Sequence, residues 1–351
     1  MWTFEPITNA LRSRVLYHPP RGLEREAVRT RVLFPPTVGK RPPALALDGQ
    51  LERVTGWVFA EEAEQRACLA GADVEHAPTL AHDLEGVVLL DGVLYKNGAQ
   101  RPLHWRTRKI PVLHAEVEVE HASIYSTWNG HRWFGMWLAD DCAVYPLAEQ
   151  EGDPFTTTFV GTPAPHEGEY EAKLGMKPRR ESAAILHRVT IFDDHGHNAD
   201  KHRRMREVRR RLLDGVTYEK HPGVFLVRGS TGDKRLCRNE LEIAELVAKE
   251  RGLRILDCVG KSVDEIVATC AGSELVMGVE GSQLIHGQVL LDEGASVFVL
   301  EPPDRFCSIF KDYADRDHQR FAYVVGRPEE DGFHVDPDEV LRTLELVPPV
   351  A

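Results

Sequence analysis

The chain has 351 residues, 42% of them apolar, which is enough for two domains or one large one with a sizeable core. Lysine and arginine number 43 against 55 acids, a net charge of −12, and this excludes a general nucleic-acid binder working through a net basic face. The six cysteines (Cys68, Cys142, Cys237, Cys258, Cys270, Cys307) form no C-x-x-C pair, which argues against a zinc knuckle or disulfide framework and fits a reducing cytosol.

Residues 1–45 are read as irregular, punctuated by Pro19-Pro20, Pro35-Pro36 and Pro42-Pro43. The opening stretch MWTFEPITNALRSRV lacks an apolar core of signal-peptide length. No apolar run along the chain approaches the roughly 20 residues needed to cross a bilayer. A cytoplasmic protein is expected, with peripheral membrane association left open. Val54 to Phe59 is a β-like run, and Gly86 to Tyr95 reads as a hairpin turning at Asp91-Gly92. Glu116 to Trp128 alternates as a strand. Trp133 to Leu147 is apolar at helical spacing with two acids inside it, so a helix is expected there. Glu149 to Gly168 is read as a loop.

Ala183 to Phe192 is a strand, followed by the turn Asp193-Asp194-His195-Gly196-His197-Asn198. The histidines and acids of that turn do not have a diagnostic metal spacing. Ala199 to Leu213 is a helix carrying Arg203, Arg204, Arg206, Arg209, Arg210 and Arg211. With an acidic total, a solvated face lining a cleft is favoured over a nucleic-acid groove binder. A domain boundary is placed near Asp214 to Pro222.

From Gly223 the chain alternates strand and helix. Val224–Val227 is a strand. Asn239 is read as a helix cap with Glu242 as its capping-box partner, and Gly252 as the stop. Ile255-Leu256 lies in a strand, and Ser262 with Glu265 opens the next helix. Leu275 to Val279 is a buried strand, Glu280-Gly281-Ser282-Gln283 a turn, Leu284 to Leu290 a helix, and Ser296 to Leu300 a second buried strand. Asp304 is taken as the start of a further helix, Phe321 to Val325 as a strand, and Asp336-Pro337-Asp338-Glu339 as the opening of a last helix running to about Val347. This alternation means an α/β fold in which the C-terminal half is a parallel sheet with helices on both faces. Ligands then bind at the carboxyl ends of the strands, and the Glu280-Gly281-Ser282 turn is such an end. A glycine turn feeding a helix N-terminus suits an anion through free amides and the helix dipole.

The order of several short blocks resembles glycosyltransferase family 61, found in bacterial polysaccharide-biosynthesis proteins and in some eukaryotic sugar transferases. Val227-Arg228, Arg235 and Asn239-Glu240 are similar to the family's "R…R…NE" block. Gly278-Val279-Glu280-Gly281-Ser282-Gln283-Leu284 is similar to its "G-x-H-G-A-G-L" turn, and Val297 to Glu301 with Pro302 to the strand that follows. Gly135-Met136-Trp137-Leu138-Ala139-Asp140 is similar to "G-H-W-L-x-D". Ile191-Phe192-Asp193-Asp194 with Asn198, Lys201 and Arg206 looks like a linker block of bacterial members. The resemblance spans roughly residues 86–330.

The resemblance implies a GT-B-like architecture, two Rossmann-like domains facing a cleft. It divides the chain into an irregular or β-rich segment over 1–85, an acceptor-side domain over 86–215, a nucleotide-sugar-binding domain over 216–335 and a C-terminal helix over 336–351. It implies an inverting hexosyl- or pentosyltransferase that takes a sugar from a nucleotide donor, a UDP sugar by expectation, and attaches it to a glycan or other hydroxyl acceptor. No cofactor or metal is required, in keeping with the lack of a clear D-x-D motif. Such a reaction needs a base for the acceptor hydroxyl and stabilisation of the departing diphosphate. For the diphosphate the expected residues are Arg228 and Arg235, with the backbone of Gly281 and Ser282. Gly278 and Gln283 complete that turn. Asn239, Glu240, Glu280 and Glu301 are expected around the donor, Glu301 and Glu240 for ribose or uracil, while Asn239 and Ser282 also suit helix caps. For the base, Asp140 comes first, then His131, then Asp141. Glu280 and Met136 stand where the family often has histidine, which motivates a second reading: a nucleotide-binding or scaffold protein of the same fold without transfer activity. A dehydrogenase is disfavoured because no G-x-G-x-x-G follows a strand.

Overall fold

A computed structural model describes residues 1–15, 17, 19–108, 110–158, 166–229 and 235–349. The chain forms two compact units, Met1–Pro36 with Ala77–Gly196 and Thr37–His76 with His197–Ala351. The arginine-rich helix therefore belongs to the second unit. Among the described residues no helix is long and apolar enough to cross a membrane.

The first unit opens with α1 (Glu5–Val15), where an irregular segment was expected. Proline at its second residue is compatible with a first turn, and Glu5 at the start with Arg12 and Arg14 at the end complement the helix dipole. Strands β1 (Arg29–Phe34), β2 (Thr79–Leu90), β3 (Val93–Lys96) and β4 (Ala99–Pro102) follow. The expected Asp91-Gly92 hairpin is present: Leu90 pairs with Val93, and both turn residues have positive φ, +46° and +80°. Asn97-Gly98 makes a second turn of the same kind. Further on come β5 (Val117–Ile124), α2 (Trp128–Arg132), α3 (Cys142–Glu151), β6 (Asp153–Thr157), α4 (Glu167–Leu174), β7 (Arg179–Glu181) and β8 (Ala183–Asp193). They build a nine-stranded mixed sheet in the order residues 21–22, β4, β3, β2, β8, β5, β6, β7, with β1 paired on β2. The pairings of β8, β5, β6 and β7 are parallel, whereas β2 runs antiparallel to β8, β3 and β1. A purely parallel Rossmann-like first domain is thus not what forms, because two positive-φ dipeptides reverse the chain within two residues. Leu84, Val87, Leu89, Val119, Ile124, Leu186, Val189 and Ile191 make its core.

The helix expected over 133–147 is interrupted. A short turn at Phe134–Met136 runs into a π-helical turn, Trp137–Asp141, before α3 begins. A π-turn inserts a residue into the helical ladder and is often retained where side chains must be re-aimed. The loop expected over 149–168 holds β6 instead, and α4 starts at Glu167; residues 159–165 lie outside the described residues.

The second unit is an α/β layer. It comprises α5 (Ala199–Leu212), β9 (Val224–Val227), α6 (Glu240–Arg251), β10 (Arg254–Asp257), α7 (Val263–Cys270), β11 (Leu275–Val279), α8 (Leu284–Gln288), β12 (Ser296–Glu301), α9 (Ile309–Arg316), β13 (Arg320–Val325) and α10 (Pro337–Leu346). The five strands are all parallel, in the order β10-β9-β11-β12-β13. Every residue of β11 and β12 is buried, as strands covered on both faces must be. Phe225, Met277, Phe298 and Val324 pack with Ile243 and Val247 of α6 and Val340 of α10. Ser262 and Glu265 make the expected capping box, and Asp336 caps α10. Two expectations fail and one element was missed. Val54–Phe59 is no strand, Trp57 making only an isolated bridge to Phe306. The helix expected from Asp304 starts at Ile309, after Ser308. The hairpin Arg327–Glu329 with Gly332–His334 was not anticipated.

Candidate active site

In a parallel sheet of this order, β9 sends its connection to one side and β11 continues on the other. The crevice beyond their carboxyl ends is the position where such folds bind ligands. Arg228 and Gly229 leave β9 there, and Glu280, Gly281, Ser282 and Gln283 leave β11. Gly278 lies against the neighbouring strand: a Cβ there would meet the Leu226 carbonyl at 2.5 Å. Gly281 lies against Arg228, whose Nη1 would sit 2.0 Å from an added Cβ. That Nη1 donates to Gln283 Oε1 at 3.4 Å, and Gln283 Nε2 donates to the Val279 carbonyl at 2.5 Å. Gln283 therefore ties the turn to the guanidinium.

Arg235 joins the same turn. Its Nη1 donates to the Glu280 carbonyl at 3.3 Å and forms an ion pair with Glu280 Oε2, the two side chains being 8% and 5% exposed. Burial pushes the Glu280 carboxyl up, and Arg235, Arg228 and Arg305 pull it down. Glu301, at the end of β12, is fully buried, and neither carboxyl oxygen makes a hydrogen bond among the described residues. Burial and the neighbouring Glu280 raise it well above the usual carboxylate range, opposed by Arg235 and by the Cys307 amide, which lies near but short of hydrogen-bond geometry. Two guanidinium groups, Arg228 and Arg235, and two buried carboxyls thus share one strand-end crevice, and the charge of Arg305 reaches Glu280. Arg305 escaped the sequence reading; its place in the first turn after β12, a carboxyl-end connection, is the signal that could have found it.

Two neighbours play other parts than expected. Asn239 holds the N-cap position of α6, but its side chain makes no capping bond: it donates to the Val335 carbonyl at 2.8 Å and accepts from the Val335 amide at 3.1 Å, fastening the segment after the missed hairpin. Glu240 accepts from the Arg228 and Gly229 amides at 2.7 and 2.8 Å, so it anchors the chain leaving β9. Ser282 does not cap α8 either, and α8 has only five residues, too short for its dipole to carry the anion argument. The positive charge at this crevice comes from side chains.

In the first unit the three proposed bases separate by role. Asp141 is fully buried; its Oδ2 accepts from the Thr127 amide at 2.9 Å and its Oδ1 from the Thr127 hydroxyl at 2.8 Å. The Thr127 hydroxyl in turn accepts from the Gly130 amide at 3.0 Å and caps α2. A side chain on Gly130 would strike the Asp141 carboxylate at 1.8 Å. Asp141 is thus a fold anchor. Asp141→Ala is expected to cost about 3 kcal/mol, the value of hydrogen bonds to a buried charge; the urea unfolding midpoint checks it.

Asp140, its neighbour in the π-turn, is only half-buried. His131 on α2 is also half-buried, with Nε2 3.2 Å from Thr156 Oγ1, which meets Ser126 Oγ at 2.5 Å. Burial, with His104 and Arg180 nearby, pushes its imidazole down to about 4, so the ring is neutral at neutral pH. Glu167 was missed. Burial and the adjacent Glu171 raise it to about 7, against Arg180. Nothing in local spacing marks it; α4 has to bring Glu167 and Glu171 onto one face first. The turn acids read as a weak metal motif are engaged elsewhere: Asp193 with His82 and Arg101, Asp194 with Thr79.

Residues 104–298 match the family model described as Glycosyltransferase 61. No curated protein matches the chain. Among solved structures, the flavodiiron protein from Giardia intestinalis shares 9% identity over 46% of this chain with a TM-score of 0.24, and the chain spans 41% of that protein's length.

Proposed function

This chain belongs to glycosyltransferase family 61, and from that premise we propose that it moves a sugar from a nucleotide diphosphate donor, a UDP sugar, to a hydroxyl acceptor with inversion. The observation that carries this reading is the convergence of Arg228 and Arg235 on one turn at the carboxyl edge of the parallel sheet. A guanidinium pairs with phosphate oxygens through two parallel N–H bonds. Set in a dry site, such groups stabilise the charge that grows on a departing diphosphate without reorganising. These side chains supply the cationic charge, which supports a metal-independent transfer. Glu301 is the donor residue for a ribose or uracil polar group, since its carboxyl ends the strand beside the phosphate site.

The acceptor hydroxyl must lose its proton as it attacks. We assign that role to Asp140, which lies half-buried in the π-turn next to the fully buried Asp141. His131, neutral and hydrogen-bonded, fits an acceptor contact. The reading places the reaction in the cytoplasm.

Titration calorimetry with UDP tests the donor assignment. Saturable binding is expected, and no heat at millimolar UDP would end it. A rival reading, nucleotide binding without transfer, draws on Glu280 holding Arg235 in the resting site. Release of free nucleotide from a panel of sugar nucleotides with candidate acceptors separates the two, because a non-transferring protein stabilises thermally with ligand but turns nothing over.

A further inference from the structure

Helix α1 is docked in the reverse of the usual sense, its polar side inward and its apolar side outward. Its buried residues are Pro6 and Asn9. Asn9 Nδ2 donates to Gln100 Oε1 at 3.3 Å, and the Glu5 carboxylate accepts from the Asn97 and Gly98 amides at 2.9 and 3.0 Å. The polar side therefore rests on β4 and the turn that precedes it. On the outer side Phe4, Ile7, Leu11 and Val15 are 62%, 43%, 58% and 59% exposed. At 3.6 residues per turn these four positions fall within an arc of about 80°. Thr8 lies inside that arc with its hydroxyl turned back to the Glu5 carbonyl at 3.1 Å. Trp2, just before the helix, is 69% exposed, and its ring rests on His114 with centroids 4.7 Å apart. Apolar residues exposed singly are ordinary, but a contiguous row marks a contact surface.

Charge on this face is equally one-sided. The whole chain carries a net charge of −12, yet Glu5 is the only acid of α1 and it is engaged on the docked side. Arg12 and Arg14 are exposed and fall on opposite rims of the apolar arc. Neither makes an ion pair among the described residues.

We propose that α1 is an in-plane membrane anchor: the stripe of Phe4, Ile7, Leu11 and Val15 enters the headgroup boundary of an anionic bilayer, and Arg12 and Arg14 pair with lipid phosphates on either side. This goes beyond the transferase reading and does not rest on it. Arginines beside an apolar stripe lay their stems along it and keep their heads at the level of the phosphates. An indole, apolar with one polar N–H, suits the same depth. The acidic total does not oppose the contact, because charges farther away than about 8 Å are screened at physiological salt. A second copy of the chain fits this face less well. Two such faces laid together set arginine rim against arginine rim, whereas an anionic bilayer offers phosphates along both.

Cosedimentation of the full chain with vesicles tests this, using phosphatidylcholine alone and phosphatidylcholine mixed with phosphatidylglycerol. Wild type is expected to bind the mixed vesicles and to bind phosphatidylcholine more weakly. Arg12→Gln and Arg14→Gln should each weaken binding to the mixed vesicles about fivefold, the share of one cation near an anionic surface. Leu11→Asp should weaken binding to both vesicles about tenfold or more, because a side chain that gains by leaving water is replaced by a charge. Residue 11 faces outward, so the urea midpoint of Leu11→Asp should match the wild type, which separates lost binding from lost folding. Brominated lipid should quench tryptophan fluorescence in the wild type and less so in Trp2→Phe. Wild type left in the supernatant with both vesicles overturns the inference, as does binding indifferent to Leu11→Asp. Light scattering that shows a dimer dissolved by Leu11→Asp also overturns it, and gives the face to a second copy.

Discussion

Replacing Arg235 with alanine is expected to cost the fold about 3–5 kcal/mol, because it leaves a buried carboxylate without its cation. Glu280 and Arg235 are 5% and 8% exposed, and the contact is direct, so solvent cannot take over the lost partner. The double change Arg235→Ala with Glu280→Gln should return much of that loss, since the buried carboxylate that lost its cation is then gone. Urea unfolding of wild type, the two single variants and the double variant closes the cycle, and a coupling energy near zero would mean that the pair does not form. The UDP readout should not follow the stability readout. The double variant is expected to recover stability but not UDP affinity, because the guanidinium that pairs with phosphate is still missing. A residue whose only task is holding the turn together would show recovery in both.

This split between fold and ligand also explains what could be read in the sequence. The second unit was legible because its strands are continuous apolar runs separated by caps and glycines. Leu275–Val279, Ser296–Glu301 and the box at Ser262 and Glu265 all fall where local pattern places them. The carboxyl-edge crevice followed, since a parallel sheet puts ligand turns at one end. Pairwise chemistry was not legible. Nothing in the spacing of Asn239 says that its amide spans to Val335, 96 residues away, instead of capping its own helix. Glu280 looked ill-placed beside a phosphate because its partner, Arg235, lies 45 residues off in sequence. In the first unit, α1 was hidden by its early proline and the π-turn by an unbroken apolar period. The two adjacent acids within that turn, equivalent in sequence, divide sharply only once Thr127 is seen to claim Asp141.

That division makes Asp140→Asn the most informative change for catalysis. If Asp140 takes the acceptor proton, the amide removes the base and keeps the shape, and kcat should fall about 10²–10⁴-fold, the usual contribution of a positioned base. UDP affinity should stay at the wild-type level, because the residues assigned to the diphosphate all lie in the second unit. His131→Gln is expected to weaken acceptor KM more than kcat, since a ring held neutral down to about pH 4 contacts a hydroxyl without needing to ionise. The competing assignment is Glu167, whose carboxyl is raised to about 7. The pH–rate profile distinguishes the two. With Glu167 as base, kcat/KM would rise with pH through an apparent pKa near 7, and Glu167→Gln would remove that limb. With Asp140 as base, Glu167→Gln leaves the limb in place and Asp140→Asn removes the rate. Full activity in Asp140→Asn would transfer the role to the raised carboxyl of α4.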